Sequence, residues 1–260
     1  MEHDHTNHDH NHEHPAHHPH HNGKGQNLMI PLSIVIAGAF IALAVFFTNQ
    51  GPKVQTLEST LEKIAKLSGV NASKFDKCLA SGKYGPVIVQ DVADAVATGG
   101  NGTPWSIVVG PTGIKYPLSG AQPIAKVQAI IDLALAKSPA PTGADTKSLE
   151  NMKQVTAADH IMGDINAPVK VVLYSDLECP FCKSFHSTMQ QLMASSYGTN
   201  KQVAWVWRNF PLKQLHPKSP KESEGAECAA ELGGNDAFWK FIDKVNEVTP
   251  SNNKLDEAQF

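Results

Sequence analysis

The sequence predicts an α/β fold preceded by one N-terminal membrane-spanning helix. Three observations carry that expectation. The strand-like run Val-Lys-Val-Val-Leu-Tyr-Ser over 169–175 leads through Cys179-Pro180-Phe181-Cys182 into a helix-periodic stretch reaching about Ala194, with Phe185, Met189, Leu192 and Met193 on one face. Two further β-rich runs, 105–109 and 114–118, flank the turn Gly110-Pro111-Thr112-Gly113 and precede a helix-periodic stretch over 124–136. Residues 28–47 form an apolar run without a charge.

The chain has 260 residues, room for one or two domains. A 41% hydrophobic content is ordinary for a globular protein, and a net charge of −3 argues against a nucleic-acid binder. Residues 1–27 are polar and dominated by His3, His5, His8, His10, His12, His14, His17, His18, His20 and His21, interleaved with Asp, Asn and Glu. Such a composition cannot build a core, so a disordered tail is expected. Neutral imidazoles bind zinc, copper and nickel, so a metal at this tail is one reading and a solvated tail the other.

The run over 28–47 would span about 30 Å as a helix, the hydrocarbon thickness of a bilayer. Thr48-Asn49-Gln50-Gly51 offers no small-x-small cleavage site, so the run reads as an uncleaved signal anchor. Lys24 precedes it while Lys53, Lys63 and Lys66 follow, a count that leans against an exported globular part. Disulfide chemistry outweighs that count and places the globular part outside.

Residues 57–98 read as helices. Leu57, Leu61, Ile64, Ala65 and Leu67 mark the first, ended by Gly69; Asn71 caps a second carrying Phe75, Cys78 and Leu79. Pro86 starts a third with Ile88, Val92, Ala95 and Val96 inward, although Val87-Ile88-Val89 also fits a strand. In the helix over 124–136, Val127, Ile130, Ile131, Ala134 and Leu135 point inward. Residues 138–164 read as a polar linker. A strand is expected over 203–210, and residues 219–248 are helical, with Cys228, Phe238, Trp239, Phe241, Ile242 and Val245.

The chemistry centres on the Cys-x-x-Cys. A thiolate is the nucleophile in disulfide exchange, and a free cysteine is mostly protonated at neutral pH. The N–H groups and dipole at a helix start stabilise negative charge, which lowers the pKa of Cys179. Cys182, one turn on, is placed to attack a mixed disulfide as the resolving thiol. Half a zinc site is the competing reading, but there is no second Cys-x-x-Cys. The four cysteines, Cys78, Cys179, Cys182 and Cys228, allow three pairings, and their number suits an oxidising compartment.

The run Tyr174-Ser-Asp-Leu-Glu-Cys-Pro-Phe-Cys-Lys-Ser-Phe-His186 resembles the active-site segment of DsbA-like thiol-disulfide oxidoreductases of the thioredoxin superfamily. Gly102-Thr103-Pro104-Trp105, followed by two strands, Gly120-Ala-Gln-Pro123 and a helix, resembles that family's second half. The resemblance covers 57–137 and 165–260. It implies a thioredoxin-like fold with a helical insertion, a cis Pro104 facing the Cys-x-x-Cys, and substrate contacts from Thr103, Trp105 and Phe181, with His186 near by. The family's order is inverted here, so one circularly permuted domain is expected, with two incomplete copies or domain swapping as rivals. Cys78 and Cys228 lie in the part that resembles the insertion, and a structural disulfide between them is expected. The implied function is a membrane-anchored, extracytoplasmic enzyme that donates disulfides to exported proteins. It needs no cofactor beyond its redox-active disulfide, and a membrane quinone-linked partner restores that disulfide. A reductase or isomerase, and a copper- or zinc-handling protein using the tail and the cysteine pair, are the alternatives.

Overall fold

Each helix of the first segment starts and stops where side chains satisfy the backbone. The computed structural model describes residues 55–141 and 146–260; the histidine tail and the apolar run over 28–47 lie outside them. Helix α1 (Leu57–Leu67) opens on a capping box between Thr56 and Ser59 and is followed by Gly69 at φ 85°. Helix α2 (Ala72–Ser81) is capped by Asn71 Oδ1, which accepts from the Lys74 N–H, and closes on left-handed Gly82. Helix α3 (Gly85–Ala97) has Pro86 in its first turn, where the missing N–H costs nothing. The ambiguous Val87-Ile88-Val89 is therefore helical. Ile88 turns inward while Val89 stays 67% exposed, as a 3.6-residue period requires. Val96 and Leu67, expected inward, lie on exposed faces.

Strands β1 (Trp105–Val109) and β2 (Lys115–Ser119) form a hairpin and lead to helix α4 (Ile124–Leu135). The stretch read as a polar linker is not a bare tether. It holds a 3-10 turn (Ser148–Asn151), with Leu149 wholly buried, and a short strand, β3 (His160–Met162). Ser148 Oγ donates to the Thr98 carbonyl, and the Lys153 N–H donates to Asp94 Oδ1. Polar composition hid this docking, because its anchors are hydrogen bonds rather than an apolar period.

Strand β4 (Val169–Ser175), helix α5 (Pro180–Ala194), the short helix α6 (Ser196–Thr199) and strand β5 (Val203–Asn209) follow. Helix α7 (Ser219–Val248) breaks at Gly234, whose φ of 73° and ψ of −170° suit a residue without Cβ. One five-stranded sheet results, in the order β2-β1-β4-β5-β3. β4 and β5 run parallel, with Val169 opposite Val203; β1 is antiparallel to β4, with Trp105 opposite Tyr174. Strands from both segments thus share one sheet, and neither segment keeps an unpaired half-sheet.

Alternation sends Val171, Leu173, Trp205 and Trp207 to one face and Val172, Tyr174 and Val206 to the other. The first face packs against α4, α5 and the helical group α1, α2 and α7. The second packs against α3 and the docked 148–155 stretch. Beneath that second face lies a buried ion cluster. Arg208 Nη1 donates to Asp94 Oδ2 at 2.6 Å and its Nε donates to Asp159 Oδ1 at 2.8 Å, while the Tyr174 hydroxyl donates to Asp94 Oδ2 at 2.5 Å. The cluster ties β5 and β4 to α3 and to the stretch before β3. Cys78 of α2 and Cys228 of α7 are joined by a disulfide closing 150 residues of chain. At the far end Gln55 Nε2 donates to the Ala258 carbonyl at 3.2 Å, so the chain's last residues lie beside the start of α1. Among the described residues no helix is long and apolar enough to cross a membrane.

Candidate active site

The local sequence aims both reactive sulfurs at one spot. Asp176, directly after β4, turns the chain: its Oδ1 accepts the Glu178 N–H and its carbonyl accepts the Cys179 N–H. Cys179 then takes the N-cap position of α5 with extended backbone, and its carbonyl accepts the Lys183 N–H. Cys182 falls inside the first turn. Both cysteines are free thiols, 4% and 2% exposed.

Their surroundings drive them apart. The Cys182 thiol, directed at the Cys179 sulfur, is the largest influence holding Cys179 down; Thr103 and the N–H groups of Cys182 and Phe181 add to it. Against the opposition of burial, these bring Cys179 to about 6. Cys182 is pushed well up, first by burial and then by Cys179 itself, while the Asp176 N–H reaches its sulfur at 3.5 Å. The outer thiol is therefore the anion and the inner thiol the proton holder, the division that nucleophile and resolving thiol require.

The first segment supplies the opposite wall. The Thr103–Pro104 peptide is cis, and the Thr103 carbonyl lies 3.6 Å from Cys179 Sγ. Pro104 is buried, and its carbonyl accepts the Gly120 N–H. Phe181 stands 65% exposed beside Cys179. Trp105, expected at the substrate groove, is instead packed under the sheet with Ile107 and Tyr174, and its indole N–H donates to Thr98 Oγ1 at 3.1 Å. Strand alternation explains this, since the residue after Pro104 faces the core. His186 is buried one turn beyond Cys182 and hydrogen-bonds Asp243 through Nε2 at 2.7 Å. The cysteines of the 78–228 disulfide sit in the helical group and take no part in the site.

Sequence reasoning passed over the acidic residues around this turn. Asp176 Oδ2 accepts from His216 Nδ1 at 2.8 Å and from the Leu212 N–H at 2.7 Å. Glu178 and Glu222 are wholly buried close by. Asp176 and Glu178 stand inside the motif itself, and their position next to a buried cysteine was the available signal. Among the described residues no group of histidine, cysteine, aspartate and glutamate could hold a metal ion.

A family model described as Thioredoxin matches residues 155–259. The "Na(+)/H(+) antiporter NhaA 3" of Salinispora tropica is 40% identical over 98 residues, which cover 36% of this chain and 14% of that protein. The "Probable disulfide bond formation protein D" of Bacillus cereus is 27% identical over 119 residues, 45% of this chain and 50% of that protein. The chain thus spans half or less of the length of these curated relatives. The structure of Pseudomonas aeruginosa DsbA2 aligns at 31% identity with a TM-score of 0.35, covering 38% of this chain and 53% of that one. The matched family segment contains β4, the Cys179–Cys182 turn, α5, β5 and α7. Residues 103–119 of the same chain build the wall opposite that segment, and residues 155–259 are similar to the Thioredoxin family.

Proposed function

We propose that this protein is a membrane-anchored, extracytoplasmic thiol-disulfide oxidoreductase that oxidises thiols of exported proteins. The observation that carries the direction is the division of charge between the two thiols. A thiolate held near 6 at Cys179 is a good leaving group and stabilises the reduced form, which favours the direction in which the protein is reduced and its substrate oxidised. In the forward reaction a substrate thiolate attacks Sγ of Cys179 in the Cys179–Cys182 disulfide. The S–S bond breaks and Cys182 leaves with the electron pair and takes up a proton. A second substrate thiolate attacks the substrate sulfur of the mixed disulfide and expels Cys179 as a thiolate. The substrate has lost two electrons and two protons and gained a disulfide. The protein has gained the electrons, which pass to a membrane quinone-linked partner.

Thr103 and Pro104 shape the groove, where backbone groups would receive an extended peptide as an added strand, with Phe181 as the apolar contact. The printed name of the Bacillus cereus relative points the same way. Anchoring is assigned to residues 28–47, export follows from the redox chemistry, and no cofactor beyond the disulfide is assigned. The histidine tail is assigned a metal-binding capacity with no part in exchange.

The test is the reduction potential of Cys179–Cys182, measured by equilibration with glutathione. A value towards about −120 mV supports the oxidase; one near −270 mV assigns the protein to reduction instead.

A further inference from the structure

Glu178 is the residue before the nucleophile, and it has no exposed surface. Its Oε2 accepts the Asn253 N–H at 2.8 Å and the Thr249 hydroxyl at 3.4 Å, and its Oε1 accepts the Leu255 N–H at 2.9 Å. Its carbonyl accepts the Asn252 N–H at 2.8 Å. These bonds fasten the turn after α7 to the residue next to Cys179. The turn needs fastening, because Ser251, Asn252 and Asn253 are consecutive left-handed residues at φ 66°, 57° and 66°. Lys183, in the first turns of α5, donates to the Thr249 carbonyl from the same side.

Glu222, in the first turn of α7, faces Glu178. It too has no exposed surface, and neither of its carboxyl oxygens is met by a hydrogen-bond donor. The neighbouring charges are already engaged. Asp176 is paired with His216 at 2.8 Å, and Lys218 binds Asp256 at 2.6 Å and the Asn253 carbonyl at 2.7 Å. Two buried carboxylates in contact cannot both stay ionised. Burial first, then Glu178 and Asp176, push Glu222 well above the ordinary carboxylate range, against the pull of Lys218.

We infer that Glu222 carries a proton and donates it to Glu178, forming a one-proton carboxyl pair that clamps the 249–255 turn against the Cys179 end of α5. Glu222 is then a positioning residue of the exchange site, acting through Glu178 and the turn. The pH dependence has a fixed sign. A carboxyl with a raised folded-state pKa contributes its stability in full below the unfolded value, and that contribution is lost as pH rises through the folded value. Alkaline conditions put a second charge into the pair and release the turn. The inference depends on the proposed function only in taking Cys179 as the reacting thiol.

The test uses the full reduced chain, its Glu222→Gln variant and two readouts independent of thiol exchange. Infrared spectra at neutral pH should show the carbonyl stretch of a protonated, buried carboxylic acid, and E222Q should lack it. The Asn253 and Leu255 amides should be protected at neutral pH. After correction for intrinsic exchange, their protection should fall with rising pH by about tenfold per unit, the slope of one linked proton. E222Q keeps a donor that cannot ionise, so its protection should stay flat over the same range. Absence of the protonated-acid band from the wild type, or a parallel loss of protection in E222Q, overturns the inference. A wild type that shows both signatures but exchanges no disulfides would overturn the proposed function and leave the clamp standing.

Discussion

Replacing Cys182 by alanine removes the largest single influence on Cys179 and leaves Thr103 and the helix-start N–H groups in place. With Cys179 at about 6 against an ordinary value of 9.0, its thiolate fraction at pH 7 is about 90%, where an unperturbed thiol would be about 1% ionised. A complete return to 9.0 would cost a factor of about 90 in thiolate. Intrinsic nucleophilicity recovers with a Brønsted slope of about 0.4–0.5, or roughly 16- to 32-fold over that shift. The net rate at neutral pH therefore drops only about three- to sixfold. The decisive readouts are the midpoint of the pH profile and the alkaline plateau. Ultraviolet thiolate absorbance of the reduced wild type should titrate near 6, and C182A should titrate higher. Attack of C182A on an aromatic disulfide should reach a higher plateau than first-step attack by the wild type. The same shift fixes a stability window. The reduced protein gains from a depressed thiol pKa above the unfolded value, and the gain is lost as pH falls through about 6. The oxidised protein has no such dependence, so acid should lower the stability of the reduced form relative to the oxidised one. A wild-type midpoint near 9, or a C182A midpoint that does not move, refutes the charge division on which the proposed direction rests.

Three further outcomes are expected. Opening the Cys78–Cys228 bridge by double serine substitution frees 150 residues, and the chain-entropy relation puts the loss at about 5 kcal/mol; a urea-unfolding loss under about 1 kcal/mol would show that the denatured chain is not held by it. Asp94→Ala removes one of the two carboxylates that hold the buried Arg208, leaving Asp159 at 2.8 Å, and should cost about 1.5–3 kcal/mol while leaving the Cys179 titration unchanged; equal loss with Asp94→Asn would tie the cost to charge, and no loss would show that the Asp94 contact contributes nothing. A reordered chain that joins residue 258 to residue 55 through a short Gly/Ser bridge and opens between 141 and 146 should fold and exchange disulfides at the parent rate, because those ends are in contact; an unfolded product would show that the docked 146–157 stretch must stay continuous with α4.

Where apolar periodicity and punctuation suffice, the sequence by itself determined the protein. Cap residues and glycines delimited α1 and α2, β-rich runs marked β1, β4 and β5, and the strand–Cys-x-x-Cys–helix context marked Cys179 as the activated thiol. These are local signals, each carried by residues within a turn or a strand of one another. Only tertiary structure could decide matters resting on pairings distant in sequence. The family resemblance placed Trp105 at the groove, but alternation within a two-faced sheet put it opposite Tyr174 of β4 and into the core. The polar stretch over 146–162 looked structureless, yet it is docked through Asp94 and through Arg208, residues 114 positions apart. No local pattern set Glu178 and Glu222 apart from other acids of the chain. Glu222 reaches Glu178 from the first turn of α7, 44 positions further along, and a carboxyl's protonation state is set by what surrounds it, not by its neighbours in the chain.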